Sequence, residues 1–113
     1  MRFKRMENKL IEELWNEHWL AAFPKTYRGK DLDGIDFVML DADVAGCVHS
    51  FLSRGNLNLY QTAVLGLCYR NLSHVIPFLN EEGKAHYRRL ERLAALVLKA
   101  VAARNHGAHE RSG

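Results

Sequence analysis

Three polar side chains of types that take part in catalysis fall among apolar residues. His18, Asp41 and Asn71 each lie inside the apolar arc of a different amphipathic segment. A buried carboxylate needs a partner, because an isolated charge is costly to remove from water. An imidazole next to a carboxylate can act as a general base that the carboxylate orients. One interpretation is therefore an interior site, with His18 as the base and Asp41 orienting it.

The alternative interpretation is structural. A hydrogen-bonded network of the same three residues would fix the register of the helices, or Asp41 would reach Arg70 or a backbone donor. We favour the network, because no nucleophile has a recognisable setting and no glycine-rich phosphate loop occurs in the sequence. No catalytic residue is predicted on this interpretation.

Cysteine and histidine spacing does not indicate a metal site. Cys47 and Cys68 lie within apolar arcs, and we expect small, buried, reduced side chains. The sequence has neither Cys-x-x-Cys nor the paired Glu-x-x-His of di-iron bundles. His106 and His109 lie near the C-terminus, where we expect an exposed pair without a specific role. The prediction is no metal and no cofactor.

A phosphoryl-transfer alternative rests on the stretch from Ile35 to Asp43. Read as a buried strand that ends in acids, it is similar to the strand that delivers an aspartate in phospho-receiver domains and haloacid-dehalogenase-like phosphatases. Those folds need further strands, whereas amphipathic helix and loop precede this stretch. We therefore predict a helix here.

The elements that position these residues are predicted from hydrophobic periodicity, which is helical in four segments. We predict an all-α, single-domain, four-helix arrangement with a long loop after the first helix. Pro24, Gly55 and Pro77 are the expected breaks, and Asn58 and Asn80 are the expected N-caps. The helices are expected at about 4–23, 36–54, 58–76 and from about 81 onward.

The second helix is expected to be central. One stripe of it is apolar, and the opposite side carries Val38, Ala42, Ala45 and Gly46. Small residues there would let another helix approach closely. We therefore expect this helix to be covered on two sides.

A partner-binding patch is predicted where the first helix meets the long loop. Two tryptophans one turn apart lie at the border of the apolar arc, and tryptophan, tyrosine and arginine are enriched at interface hot spots. The loop from Pro24 to Gly34 has no periodicity, so it is a candidate contact surface. The predicted patch is Trp15, Trp19, Tyr27, Arg28 and Asp31. The alternative is that both tryptophans only cover the edge of the core.

Composition and charge bound the class of protein. The chain has 113 residues, 48% of them hydrophobic, and a formal net charge of +3. The positive charge comes from the ends, because residues 6–45 carry 9 acids and 4 bases and residues 46–103 carry 3 acids and 7 bases. We expect a domain over 1–104, a flexible polar tail over 105–113, and a cytoplasmic location without a membrane span.

Basic residues of the fourth helix form an outer stripe of Arg88, Arg92 and Lys99, with Arg89 next to it. Such a stripe could meet phosphates or an acidic protein, which keeps open a nucleic-acid accessory role. A solvated helix face is the commoner explanation.

The stretches Tyr27–Val48 and Tyr87–Leu98 resemble small helical bacterial proteins, some of which are similar to immunity proteins of contact-dependent growth-inhibition systems. Immunity proteins bind a cognate toxin domain and block it, so the resemblance implies a stoichiometric binder without fixing a site. Many that act on nucleases are acidic, whereas this body is nearly neutral. An acidic surface could come from Glu12, Glu13, Glu17, Asp31, Asp33 and Asp36.

The sequence therefore predicts a non-enzymatic protein-binding module of the immunity-protein type, with a toxin domain encoded by an adjacent gene as its partner. Two alternatives stay open. One is a small ligand-binding or enzymatic bundle that uses His18, Asp41 and Asn71, and the other is a nucleic-acid accessory protein.

Overall fold

The computed structural model describes the backbone of residues 2–112 and the side chains of residues 8–105. Four helices make up most of the chain, which confirms the all-α four-helix prediction. They are α1 (Arg2–Leu20), α2 (Phe37–Arg54), α3 (Leu59–Val75) and α4 (Glu81–Ser112). Between them lie 3-10 turns at Lys25–Tyr27 and Ile76–Phe78 and a hairpin of β1 (Asp31–Leu32) and β2 (Ile35–Asp36). None of the described helices has a stretch long and apolar enough to cross a membrane.

The start of α2 contradicts the buried strand on which the phosphoryl-transfer alternative rests. Strand β2 is only two residues long, and Asp36 then caps α2 by accepting a 2.9 Å hydrogen bond from the N–H of Met39. Asp41 and Asp43 therefore lie within a helix rather than at the end of a buried strand. Gly55 ends α2 with a φ of 82°, a conformation that glycine adopts without strain.

The predicted N-caps of α3 and α4 are confirmed. The Asn58 side chain accepts from the N–H of Gln61, and the Gln61 side chain accepts from the N–H of Asn58, which forms a capping box. Asn80 caps α4 by accepting a 2.8 Å hydrogen bond from the N–H of Gly83. These local contacts set where both helices begin.

Helix α4 is the centre of the fold, because it makes the most extensive contacts with the other three helices, whereas α2 has only a small contact with α1. Tyr87 is fully buried on it, and its hydroxyl donates a 2.8 Å hydrogen bond to the carbonyl of Phe37. The buried side chains of all four helices form one hydrophobic cluster. Its fully buried members include Ile11, Val44, Leu65, Leu72, Val75, Leu90, Leu93 and Val97.

The loop after α1 is folded rather than unpatterned. Asp33 and Gly34 have φ angles of 52° and 79°, which fits a two-residue hairpin turn of the mirror-image type that an Asp-Gly pair favours. Tyr27 is buried, and its hydroxyl accepts a 2.9 Å hydrogen bond from the N–H of Asn80. A Cβ atom at Gly83 would lie 2.5 Å from the Tyr27 ring, so the ring packs directly on the α4 backbone.

The prediction that α2 is covered on two sides is wrong. Val38 is 42% exposed, and Ala42 and Gly46 are also exposed. A Cβ added at Gly46 would meet nothing within 4 Å. No described helix covers this side of α2, so its small residues form a low, open surface instead of a second packing face.

The domain boundary predicted at residue 104 does not coincide with a helix end, because the α4 backbone continues to Ser112. The flexibility of residues 105–113 stays a prediction. His106 and His109 lie outside the residues whose side chains are described.

Candidate functional site

Three helices bring two histidines onto one carboxylate. His18 lies in the last turn of α1, Asp41 in α2 and His86 in the first turns of α4. The Nε2 atom of His18 is 2.9 Å from Oδ1 of Asp41, and the Nε2 atom of His86 is 2.7 Å from Oδ2. Each carboxylate oxygen therefore accepts one imidazole N–H. The predicted contact between His18 and Asp41 is confirmed.

Arg89 closes the network from the other side of both rings. Its Nε donates to Nδ1 of His18 at 3.2 Å, and its Nη2 lies 3.4 Å from Nδ1 of His86. Arginine has no acceptor, so both Nδ1 atoms must offer a lone pair to it. These partners assign both rings as the tautomer that carries its proton on Nε2. We call His18, Asp41, His86 and Arg89 the polar network.

Charges in the polar network balance. With both rings in this tautomer, the positive charge of Arg89 and the negative charge of Asp41 lie at opposite ends of two bridging imidazoles. Glu17 adds a weaker contact, because its Oε1 lies 3.8 Å from Nη1 of Arg89 and it is 64% exposed. The two histidines therefore link the charges of Arg89 and Asp41 through hydrogen bonds, and these bonds connect α1, α2 and α4.

Burial and hydrogen bonding act in opposite directions on the pKa of Asp41. Burial alone raises it, but the hydrogen bonds that His18 and His86 donate to the carboxylate outweigh burial and lower the pKa from 3.8 to about 2. Asp41 is 16% exposed, whereas His18 and His86 are 7% and 5% exposed. The carboxylate is therefore ionised at neutral pH and held in a nearly closed environment.

The ligand types of the polar network match a two-histidine, one-carboxylate metal set, but the arrangement does not fit an ion. Ligand-type atoms of His18, Asp41 and His86 lie within 4.8 Å of one another. A metal at Nε2 would move each ring proton to Nδ1, where a metal-bound histidine needs an acceptor. Here Nδ1 faces the donors of Arg89 instead. The geometry favours a hydrogen-bonded network over a metal centre.

His86 and Arg89 were missed by the sequence analysis, although the pattern contained a signal for His86. It precedes Leu90 by four residues and Leu93 by seven, so it lies on the buried stripe of α4. Arg89 was placed next to the outer basic stripe as part of a charged helix face, but it is only 15% exposed and turns toward the histidines. The exposed stripe of α4 is therefore Arg88, Arg92 and Lys99.

Asn71 does not belong to the polar network, so the predicted three-residue cluster is wrong. It lines a surface cavity between α2 and α3. The apolar arc in which it was placed also contains Tyr60 and Leu67, which are 77% and 58% exposed. The part of that predicted arc that is buried consists of Leu65, Cys68, Leu72 and Val75.

An open groove runs between α2 and α3. It consists of two adjoining cavities of about 290 and 320 Å³ that share Asp43, Tyr60 and Val64 in their walls. The first cavity extends to Met39, which is 56% exposed, and the second extends along Ala42, Gly46 and Ser50. We call this surface the α2–α3 groove. Its lining combines exposed large apolar side chains with small residues.

The tryptophan pair forms a second, smaller surface. Trp15 is half-buried and Trp19 is 74% exposed, with ring centroids 5.9 Å apart. Together with Asn16 and His49 they line a cavity of about 300 Å³ between α1 and α2. Large exposed aromatic area is typical of contact surfaces.

The loop members of the predicted patch are separated by the fold. Tyr27 is only 8% exposed and is a core residue, so it cannot contact a partner without unfolding the loop. Arg28 is exposed and lies over the ring of Phe23, 5.5 Å from its centroid. Asp31 is exposed in β1, opposite Asp36.

The cysteines are buried and free, as predicted. Burial and the nearby charge of Asp43 raise the pKa of Cys47, and the same causes raise the pKa of Cys68 to about 11. Both thiols are therefore protonated at neutral pH and are poor nucleophiles.

Comparison with known proteins finds no family model, curated protein or solved structure that matches the chain.

Proposed function

We propose that the protein is a non-enzymatic protein-binding module, and specifically a bacterial immunity protein that binds and neutralises a cognate toxin domain in the cytoplasm. The observation that carries this proposal is the α2–α3 groove, where Met39, Tyr60 and Leu67 leave more than half of their side-chain surface in water. Burial of such side chains against a partner is favourable, and large exposed apolar patches mark interaction sites.

The polar network supports a scaffold role within this proposal. Its members hydrogen-bond to one another, because the carboxylate oxygens of Asp41 accept from the histidines and the histidines accept from Arg89. Both histidines are nearly inaccessible, so little of either ring is available to a substrate. The network thus positions α1 beside α2 and α4, whereas the groove lies between α2 and α3.

The test is co-expression with the product of the adjacent gene, followed by affinity purification and size-exclusion chromatography. We expect a binary complex. Tyr60→Ala should weaken binding by about 2 kcal/mol, with folding stability unchanged. Leu59→Ala is the matched control, because Leu59 is 86% exposed next to Tyr60 but lines neither cavity.

The tryptophan surface is tested in the same assay. Trp19→Ala should weaken the complex if this surface is part of the interface, and Leu20→Ala is its control, since Leu20 is 84% exposed and does not line the cavity. A complex that tolerates both Tyr60→Ala and Trp19→Ala would show that the interface lies elsewhere. Purification with a tightly bound small molecule, and without a protein partner, would instead favour a ligand-binding bundle.

A further inference from the structure

We propose that the α2–α3 groove takes a positively charged amphipathic helix of the partner protein. This inference rests on the proposed binding function and adds the chemistry of the occupant. It follows from three properties of the groove, which are its charge, its apolar cavities and the small residues at its base.

The charge of the groove has one sign. Of all the residues that line its two cavities, the charged ones are Asp36 and Asp43, and both are acidic. Both side chains are exposed, and neither belongs to a salt bridge among the described residues. Asp36 is engaged in capping α2, so Asp43, in the wall shared by both cavities, is the free anion at the centre of the groove. A lysine or arginine on the occupant would complement it.

The apolar lining of the groove favours a helix with apolar anchors. Two adjoining cavities lie on either side of Asp43, Tyr60 and Val64, so two side chains of one occupant can enter them in succession. Helices that bind grooves place their anchors at such successive positions, one or two turns apart. The floor at Ala42 and Gly46 carries no large side chain, which permits close approach of a helix backbone.

Two other occupants are disfavoured by the same charge. A second copy docked through the same groove about a two-fold axis would bring two Asp43 carboxylates toward each other, which costs affinity. A nucleic acid would bring phosphates against Asp36 and Asp43. The acidic groove therefore selects a cationic protein segment.

The experiment uses two synthetic amphipathic helical peptides that share leucine positions. One carries lysine at every polar position and the other carries glutamate. Binding to the full chain is followed at low and high salt by backbone amide shifts of isotope-labelled protein. We expect the lysine peptide to bind, with the largest shifts at Met39, Tyr60 and Val64, and the glutamate peptide not to bind. Added salt should weaken the binding.

Charge reversal supplies the matched control. Asp43→Lys should weaken binding of the lysine peptide by about tenfold or more, since it replaces attraction by repulsion at the centre of the groove. Glu13→Lys makes the same charge change at an exposed position of α1 outside the groove and should have little effect. Thermal melts of both variants check that folding is preserved.

Several results would overturn the proposal. These are binding of neither peptide, equal binding of both, or shifts centred outside the groove. The proposed function is judged separately with the co-expressed partner. A complex that is lost with Tyr60→Ala but kept with Asp43→Lys would support the proposed binding function and contradict the proposal that the occupant is a cationic helix.

Discussion

Asp41 and Asp43 are two residues apart on α2, yet they lie in opposite environments. Asp41 faces α1 and α4, where its two oxygens accept hydrogen bonds from His18 and His86. Asp43 is exposed in the α2–α3 groove, outside the salt bridges of the described residues. Residues two apart on a helix point to different sides, so one helix separates a carboxylate that is hydrogen-bonded within the protein from one that faces solvent.

The difference separates residues that stabilise the fold from residues that are available to a partner. A buried charge is tolerated only where its hydrogen bonds are complete, as in the polar network. An exposed carboxylate among apolar side chains contributes little to folding, but it can set the charge preference of a binding surface. Four predictions test this division.

The largest expected effect is on folding stability, from replacement of Asp41 by an apolar residue. Asp41→Leu should reduce the free energy of unfolding by about 3 kcal/mol, because it leaves two imidazole donors and Arg89 without their anion. Asp43→Leu is the matched change and should stay within about 0.5 kcal/mol of the wild type. Urea denaturation of both variants measures the difference. Equal losses would show that the polar network contributes no special stability.

The second prediction is a dependence on pH that belongs to Asp41. Its pKa in the folded protein is about 2, below the ordinary aspartate value of 3.8. A lowered folded-state pKa stabilises the protein above the unfolded-state value, and the contribution is lost as pH falls through the folded-state value. The shift corresponds to about 2 kcal/mol, lost between about pH 4 and pH 2.

Asp41→Asn isolates this contribution from that of the other acids. An amide accepts hydrogen bonds only through its oxygen, so one histidine loses its acceptor and the variant should be less stable at neutral pH. Its stability gap from the wild type should close as pH falls from about 4 to about 2. A gap that is constant over this range would mean that the pKa of Asp41 is not lowered by folding.

The third prediction concerns coupling between residues. Asp41→Asn and His86→Ala should be non-additive by roughly 0.5 kcal/mol or more in a double-mutant cycle, because the side chains are hydrogen-bonded to each other. The changes in the free energy of unfolding caused by Asp41→Asn and Asn71→Ala should add within about 0.5 kcal/mol, since Asn71 lies in the groove. Strong coupling to Asn71 would restore the interior cluster that the sequence suggested.

These contrasts also show what the sequence could predict. Periodicity and capping residues located all four helices, because both signals are local, as at Asn58 and Gln61. The hairpin was missed although the Asp33-Gly34 pair signals one. His18 and Asp41 were found because a polar residue interrupts an apolar stripe.

The assignment of Asn71 failed for a different physical reason. An apolar arc on a helix has the same pattern whether it packs against its own core or remains open to a partner, and Tyr60 and Leu67 belong to the open kind. The other two members of the polar network were harder to assign, because His86 follows Asp41 by 45 residues and Arg89, which contacts the two histidines, lies at the edge of a charged face. Only the packing of α1 and α4 against α2 brings them together.

The smallest expected effect is that of zinc, which should leave the thermal melt of the wild type unchanged. For His18 and His86 to offer Nε2 to an ion, their protons would have to move to Nδ1, opposite the N–H groups of Arg89. Arg89→Gln should remove this obstacle, because a glutamine oxygen can accept from Nδ1–H in the way that metal-bound histidines require. We therefore expect zinc to raise the melting temperature of Arg89→Gln and not that of Arg89→Gln combined with His86→Ala. A zinc-dependent rise in the wild type that disappears in His86→Ala would show that Arg89 moves aside, and that the polar network is a metal site after all.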